Sequence, residues 1–97
     1  MNTPAEIPQV QHIPASSRFE MLSEGHSAVL EYRLNGDTIT FTHTGVPGAL
    51  EGRGIGSQLA HAGLEYAREN SFKVISACWF VTGYIDRHKE YQPLLKI

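Results

Sequence analysis

Apolar and polar residues alternate with a period of two through the first half of the chain and shift to a helical period in the second. Phe19 and Met21 alternate with Arg18 and Glu20, and the polar run SEGH at 23–26 supplies a turn. Ala28, Leu30, Tyr32 and Leu34 then alternate with Val29, Glu31 and Arg33, the pattern of a strand with one buried face. Asn35-Gly36 follows, a hairpin signal because both residues tolerate positive φ. In TITFTHT, residues 38–44, Ile39, Phe41 and His43 fall on one face and threonines on the other. These segments predict a three-stranded antiparallel meander.

Past Pro47 the period changes. Ile55, Leu59, Ala62, Tyr66 and Ala67 recur at helical spacing, with Gly63 on the same face where the helix can press close to a sheet. Gln58, His61, Glu65, Arg68 and Glu69 occupy the opposite face, and Asn70 ends the helix. FKVISAC, residues 72–78, reads as a buried strand, and a strand–helix–strand order implies parallel pairing. A second helix is expected over about residues 81–89, before the tail YQPLLKI. Residues 1–16 carry Pro4, Pro8 and Pro14 and few bulky apolar residues, so they read as a flexible arm, with an added edge strand over 10–13. The remainder, 17–97, is expected to be one domain of mixed α/β class.

Composition narrows the function classes. Of 97 residues, 41% are hydrophobic and 19% charged, ordinary values for a globular domain. A net charge of −2 gives no electrostatic case for nucleic acid or an anionic membrane as partner. No apolar run reaches the roughly 20 residues that span a bilayer, and the N-terminus has no signal-peptide pattern. A lone cysteine, Cys78, forms no internal disulfide, so the expected location is cytoplasmic. The five histidines show no metal-ligand spacing, and no metal is expected.

Three glycines, Gly52, Gly54 and Gly56, crowd the head of the first helical pattern. Each costs a helix interior about 1 kcal/mol relative to alanine, so their presence asks for a reason. One reason is packing: glycines let the loop turn tightly and the helix approach the sheet. The other is chemical, because glycines expose unpaired N–H groups at the positive end of a helix dipole, where a phosphate binds. No G-K-[ST] follows, so this is not a Walker loop, and the spacing fits a dinucleotide fingerprint poorly.

The order of elements, with EGRGIG at 51–56 opening the helix and Leu59 following, resembles the core of the GNAT acetyltransferase superfamily. There the loop reads [Q/R]-x-x-G-x-[G/A], and its amides hold the pyrophosphate of acetyl-CoA. Glu51 departs from that pattern. THTGVPGALEGRGIGSQL together with SACWFVTGYIDRHKEYQPLL is similar to the short single-domain branch of the superfamily. The resemblance implies a minimal GNAT-like fold: a meander, a βαβ unit and a short C-terminal helix. It carries the acetyl-CoA contacts onto Thr44, Val46, Gly52, Arg53, Gly54, Ile55, Gly56 and Ser57. It also implies acetyl transfer to an amine, from a small molecule or a protein lysine; a CoA-binding module with little turnover is the rival reading.

An alkyl amine has a pKa near about 10.4, so a base or a desolvating site is needed at neutral pH. His43 ends the strand entering the glycine loop and Cys78 ends the next, and sites in such sheets form outside the carboxyl ends of strands. His43 can equally be a core histidine and Cys78 a small buried hydrophobe. The short branch resembles proteins in which a cysteine and a histidine are proposed for catalysis, matching Cys78 and His43. The thiol then serves either as a nucleophile carrying the acetyl group or as the acid in a direct transfer. The tyrosine that protonates CoA thiolate in many relatives has Ile85 at its position here, beside Tyr84. Arg53, Arg87, His88 and Lys89 are candidate phosphate contacts.

Overall fold

The computed structural model describes residues 9–96. Strands β1 (Gln11–Ile13), β2 (Arg18–Ser23), β3 (His26–Asn35), β4 (Thr38–Gly45) and β5 (Lys73–Ser76) form one sheet in that order. The first four pair antiparallel, and β5 lies parallel to β4. Helix α1 (Ile55–Glu69) connects β4 to β5, and α2 (Trp79–Arg87) follows β5. A 3-10 segment, Lys89–Leu94, brings Tyr91 into the core. This is the mixed α/β architecture that the alternating periods predict. No helix among the described residues is long and apolar enough to cross a membrane.

Of the expected N-terminal arm, residues 1–8 lie outside the described residues. Residues 11–16 have regular structure: the expected edge strand is β1, followed by a 3-10 turn at Pro14–Ser16. His12 pins this strand. Its ring stacks on Phe19 at 4.2 Å, and its Nε2 shares a hydrogen bond of 2.6 Å with the Tyr32 hydroxyl. Burial holds the His12 imidazole below its usual pKa.

Both hairpins close with two residues. Glu24 and Gly25 both take positive φ, 52° and 77°, the backbone that the strand twist requires. In the second hairpin Asn35 still pairs with Thr38, so the turn is Gly36-Asp37, one residue later than the Asn-Gly signal suggested.

The largest departure from simple alternation lies in β4. Tyr32 pairs with Phe41 but Glu31 pairs with His43, leaving Thr42 as an extra residue on β4. Such a bulge reverses which face the following side chains occupy. Ile39 and Phe41 point into the core as expected. His43 does not share their face: it stands exposed opposite Glu31, and Thr44 turns inward opposite the buried Leu30.

Helix α1 packs on that inner face through Ile55, Leu59, Ala60, Leu64 and Ala67. Gly63 permits the contact, since a Cβ there would stand 2.8 Å from both Leu30 Cδ2 and Phe41 Cε1. The helix ends at Asn70, whose Nδ2 donates to the Tyr66 carbonyl at 2.8 Å. Ser71 at φ 57° and the bond from Phe72 N–H to Ala67 C=O complete a Schellman stop.

The second strand of the unit is shorter and less buried than its apolar run suggested. Only Val74 is fully buried, and Ile75 is 40% exposed. β5 lies at the sheet edge with one covered face, and Leu95 bridges to Val74 beyond it. Cys78 accordingly sits past the strand, as the N-cap of α2, which begins at Trp79 instead of Val81.

Candidate active site

β4 and β5 both deliver their carboxyl ends to the N-terminus of α1, where a cleft of about 400 Å³ opens. Thr44, Val46, Leu50, Glu51, Gly52, Gly54, Ile55, Gly56, Ser57 and Phe80 line it. Seven of the eight residues expected to contact the cofactor are therefore on its wall; Arg53 is not. Leu50, Glu51 and Phe80 are lining residues that the sequence reading left out of that set.

The glycine loop is built for exposure of its backbone. Gly52 and Gly54 take φ of 80° and 72°, and a Cβ at either would meet nothing within 4 Å. Gly54 is the N-cap of α1 and offers no side chain to its own helix. The first bond of the helix runs from Gln58 N–H to Gly54 C=O, so the N–H groups of Ile55, Gly56 and Ser57 remain for a ligand. These donors and the helix dipole fit an anionic group such as a diphosphate. Gly56 has a second function, because a Cβ there would lie 2.7 Å from Phe80 Cζ. The α2 aromatic ring thus packs directly on the first turn of α1 and forms an apolar wall of the cleft.

Cys78 adjoins this cleft through Thr44. Its Sγ is 3.2 Å from Thr44 Oγ1, a contact that the inward turn of Thr44 after the bulge makes possible. Burial pushes the thiol pKa up, but the Thr44 hydroxyl and the backbone N–H groups of Val81, Phe80 and Thr44 outweigh it. The net effect lowers the Cys78 pKa, although no first-turn N–H closes a full cap hydrogen bond to the sulfur. A thiol at a helix N-terminus is favoured as thiolate for the same electrostatic reason.

His43 and Cys78 end neighbouring segments, as expected, but the bulge puts them on different faces. A Cβ at Gly45 would meet His43 Nε2 at 3.1 Å and a Val29 methyl at 3.6 Å, which places the imidazole along the outer face. The hydrogen-bond partner of Cys78 is Thr44. Arg53 pairs with Glu24, Nη1 to Oε2 at 2.8 Å. The other candidate phosphate contacts lie away from the cleft wall: Arg87 ends α2, His88 stacks on Tyr84 at 3.9 Å, and Lys89 opens the 3-10 segment. Tyr84 and Ile85 are both buried and neither lines the cleft. Trp79 is 96% exposed beside Cys78. Among the described residues no three of histidine, cysteine, aspartate and glutamate form a metal-binding group.

The profile of the GCN5-related N-acetyl-transferase family matches residues 18–94. Protein NATD1 of Xenopus tropicalis is 33% identical over 97 residues, covering 97% of this chain and 89% of that protein. Protein NATD1 of Homo sapiens is 35% identical over 92 residues, covering 92% and 81%. The solution structure of a GCN5-like protein from Staphylococcus aureus superposes with a TM-score of 0.72 at 30% identity, covering 91% of this chain and 87% of that one. The chain belongs to the GCN5-related N-acetyltransferase family.

Proposed function

We propose that this protein transfers the acetyl group of acetyl-CoA to an amine. The observation that carries the reading is that one cleft joins Ile55, Gly56 and Ser57, whose amides have no intrahelical acceptor, to the Thr44 that contacts Cys78. The amides and Gly54 hold the diphosphate, Val46, Leu50 and Phe80 offer apolar surface to the pantetheine arm, and Thr44 marks the end at which the thioester is presented. Arg53 joins the phosphate contacts when it parts from Glu24.

The geometry supports direct transfer better than a cysteine–histidine acyl enzyme, because His43 lies across the strand from the thiol instead of beside it. In this scheme the amine nitrogen attacks the acetyl carbonyl and the carbon–sulfur bond breaks. The departing CoA thiolate takes a proton from Cys78, whose pKa is lowered. His43, exposed at the end of β4, receives the proton that the amine loses as it attacks from the outer face. Cys78 then regains a proton from solvent. The acceptor class is an alkyl amine, from a small molecule or a protein lysine, and the protein works in the cytoplasm.

A panel of lysine peptides, polyamines and small amines tests this reading through release of free CoA thiol. Acceptor-dependent release above the hydrolysis background supports it. Tight CoA binding with no release across the panel favours a CoA-binding module, a reading that the separation of His43 from Cys78 keeps in play.

A further inference from the structure

A cradle for a diphosphate calls for positive charge, yet among the described residues no lysine or arginine lines this cleft, and one carboxylate, Glu51, does. The one cation of the loop is Arg53, held between Gly52 and Gly54, both with left-handed backbone. Its guanidinium is engaged elsewhere, 2.8 Å from Glu24. Glu24 belongs to the two-residue turn between β2 and β3, where its φ of 52° fixes it in a tight hairpin. The pair is open to water, with side-chain exposures of 47% and 61%. An ion pair so exposed contributes little to stability and exchanges readily. Its consequence is electrostatic: it occupies the one basic side chain of the glycine loop.

We infer that the Glu24–Arg53 bridge is a latch on the cofactor cleft, in which the Glu24 carboxylate competes with the ligand's phosphates for Arg53. The inference rests on the CoA reading and adds a residue outside the loop that sets its affinity. Carboxylate and phosphate present the same paired oxygens to the guanidinium fork, so one replaces the other without a change in bonding type. Phosphate binding draws Arg53 from the hairpin turn to the cleft mouth and leaves Glu24 to water. The broken pair and the remaining charges of Glu24 and Glu51 oppose the incoming anion.

The test is calorimetric titration of CoA, and separately of inorganic diphosphate, into wild type, Glu24→Gln, Arg53→Gln and the double variant, with thermal melts to establish folding. At low salt Glu24→Gln is expected to bind about three- to tenfold more tightly and Arg53→Gln more weakly. In the Arg53→Gln background the Glu24 substitution is expected to lose most of its effect, the signature of direct coupling. An equal gain in both backgrounds makes Glu24 a distant charge, and unchanged or weaker binding by Glu24→Gln makes it a mere support; either result overturns the latch. Wild type that binds neither ligand overturns the CoA reading and the latch together. Diphosphate binding without CoA binding, with the coupling intact, supports the latch and removes the CoA reading alone.

Discussion

Thr44 Oγ1 lies 3.2 Å from Cys78 Sγ, so the end of β4 and the start of α2 meet at a thiol beside the glycine cleft. The bulge at Thr42 brings them together by turning Thr44 inward, and the same bulge turns His43 out. A thiol that contacts a hydroxyl and sits at the positive end of a helix has a larger thiolate fraction near neutral pH than a free cysteine. Alkylation of Cys78 by iodoacetamide, followed across pH, should show a midpoint below the ordinary cysteine value. In Thr44→Val the midpoint should move upward, and an unmoved midpoint would show that the hydroxyl does not tune the thiol.

Direct transfer predicts that acetyl-CoA alone leaves Cys78 unmodified. Intact mass after incubation without an amine should show no added acetyl group, while Cys78→Ala should lower acceptor-dependent turnover by roughly ten- to a hundredfold, at or below the usual range for a general acid. A single acetyl adduct that an amine discharges would instead establish the covalent route.

Phe80 fills the space that Gly56 leaves open, at 2.7 Å from the position of a Cβ. Gly56→Ala should therefore displace the ring and cost about 1–3 kcal/mol, the range for overpacking. Removing the ring as well, in Gly56→Ala with Phe80→Ala, should recover part of that loss because alanine is the better helix residue. Additive losses in a denaturant double-mutant cycle would mean that the two positions do not press on each other.

The helix–sheet contact makes a sharper demand at Gly63, where a Cβ meets Leu30 and Phe41 at 2.8 Å. Helix propensity alone favours alanine there by about 1 kcal/mol. Both contacts are buried core atoms with little room to yield, so Gly63→Ala should lower the Tm despite that preference. A raised Tm would show that the sheet gives way.

His12 gives the fold a pH dependence. Burial lowers its pKa below the ordinary histidine value, so folding favours the neutral ring that hydrogen-bonds with the Tyr32 hydroxyl. With the folded pKa depressed, this contribution is present above the unfolded pKa and is lost as the pH falls through the folded one. Thermal melts between pH 7.5 and 5.5 should show a loss of Tm that is smaller in His12→Gln. An equal loss in both proteins would assign the acid sensitivity to other groups.

Much of this arrangement is legible in the residues themselves. Period-two alternation marks β2 to β4, the 3.6 period marks α1, and Gly52-x-Gly54-x-Gly56 marks the exposed helix start, because each pattern records a local steric or burial requirement. The bulge at Thr42 leaves no such record. TITFTHT alternates without interruption, so His43 reads as a partner of Phe41 when it faces the other way. Phe80 escapes because the apolar spacing of α2 begins as well at Val81, although Gly56 signals that something must press on that turn. The Glu24–Arg53 pair joins two turns far apart in the chain, and only the closed sheet brings them together.

In the proposed function, the backbone from Gly54 to Ser57 holds the diphosphate of acetyl-CoA. Gly54 is the position to test, since its φ of 72° excludes β-branched residues and any side chain there projects into open space at the cleft. The measurement is calorimetric titration of acetyl-CoA into wild type and into Gly54→Val, both first shown to be folded. Saturable one-site binding is expected for wild type, with a loss of about tenfold or more in the variant, roughly the 1.4 kcal/mol that a displaced anion contact represents. Equal affinity in the two proteins would contradict it.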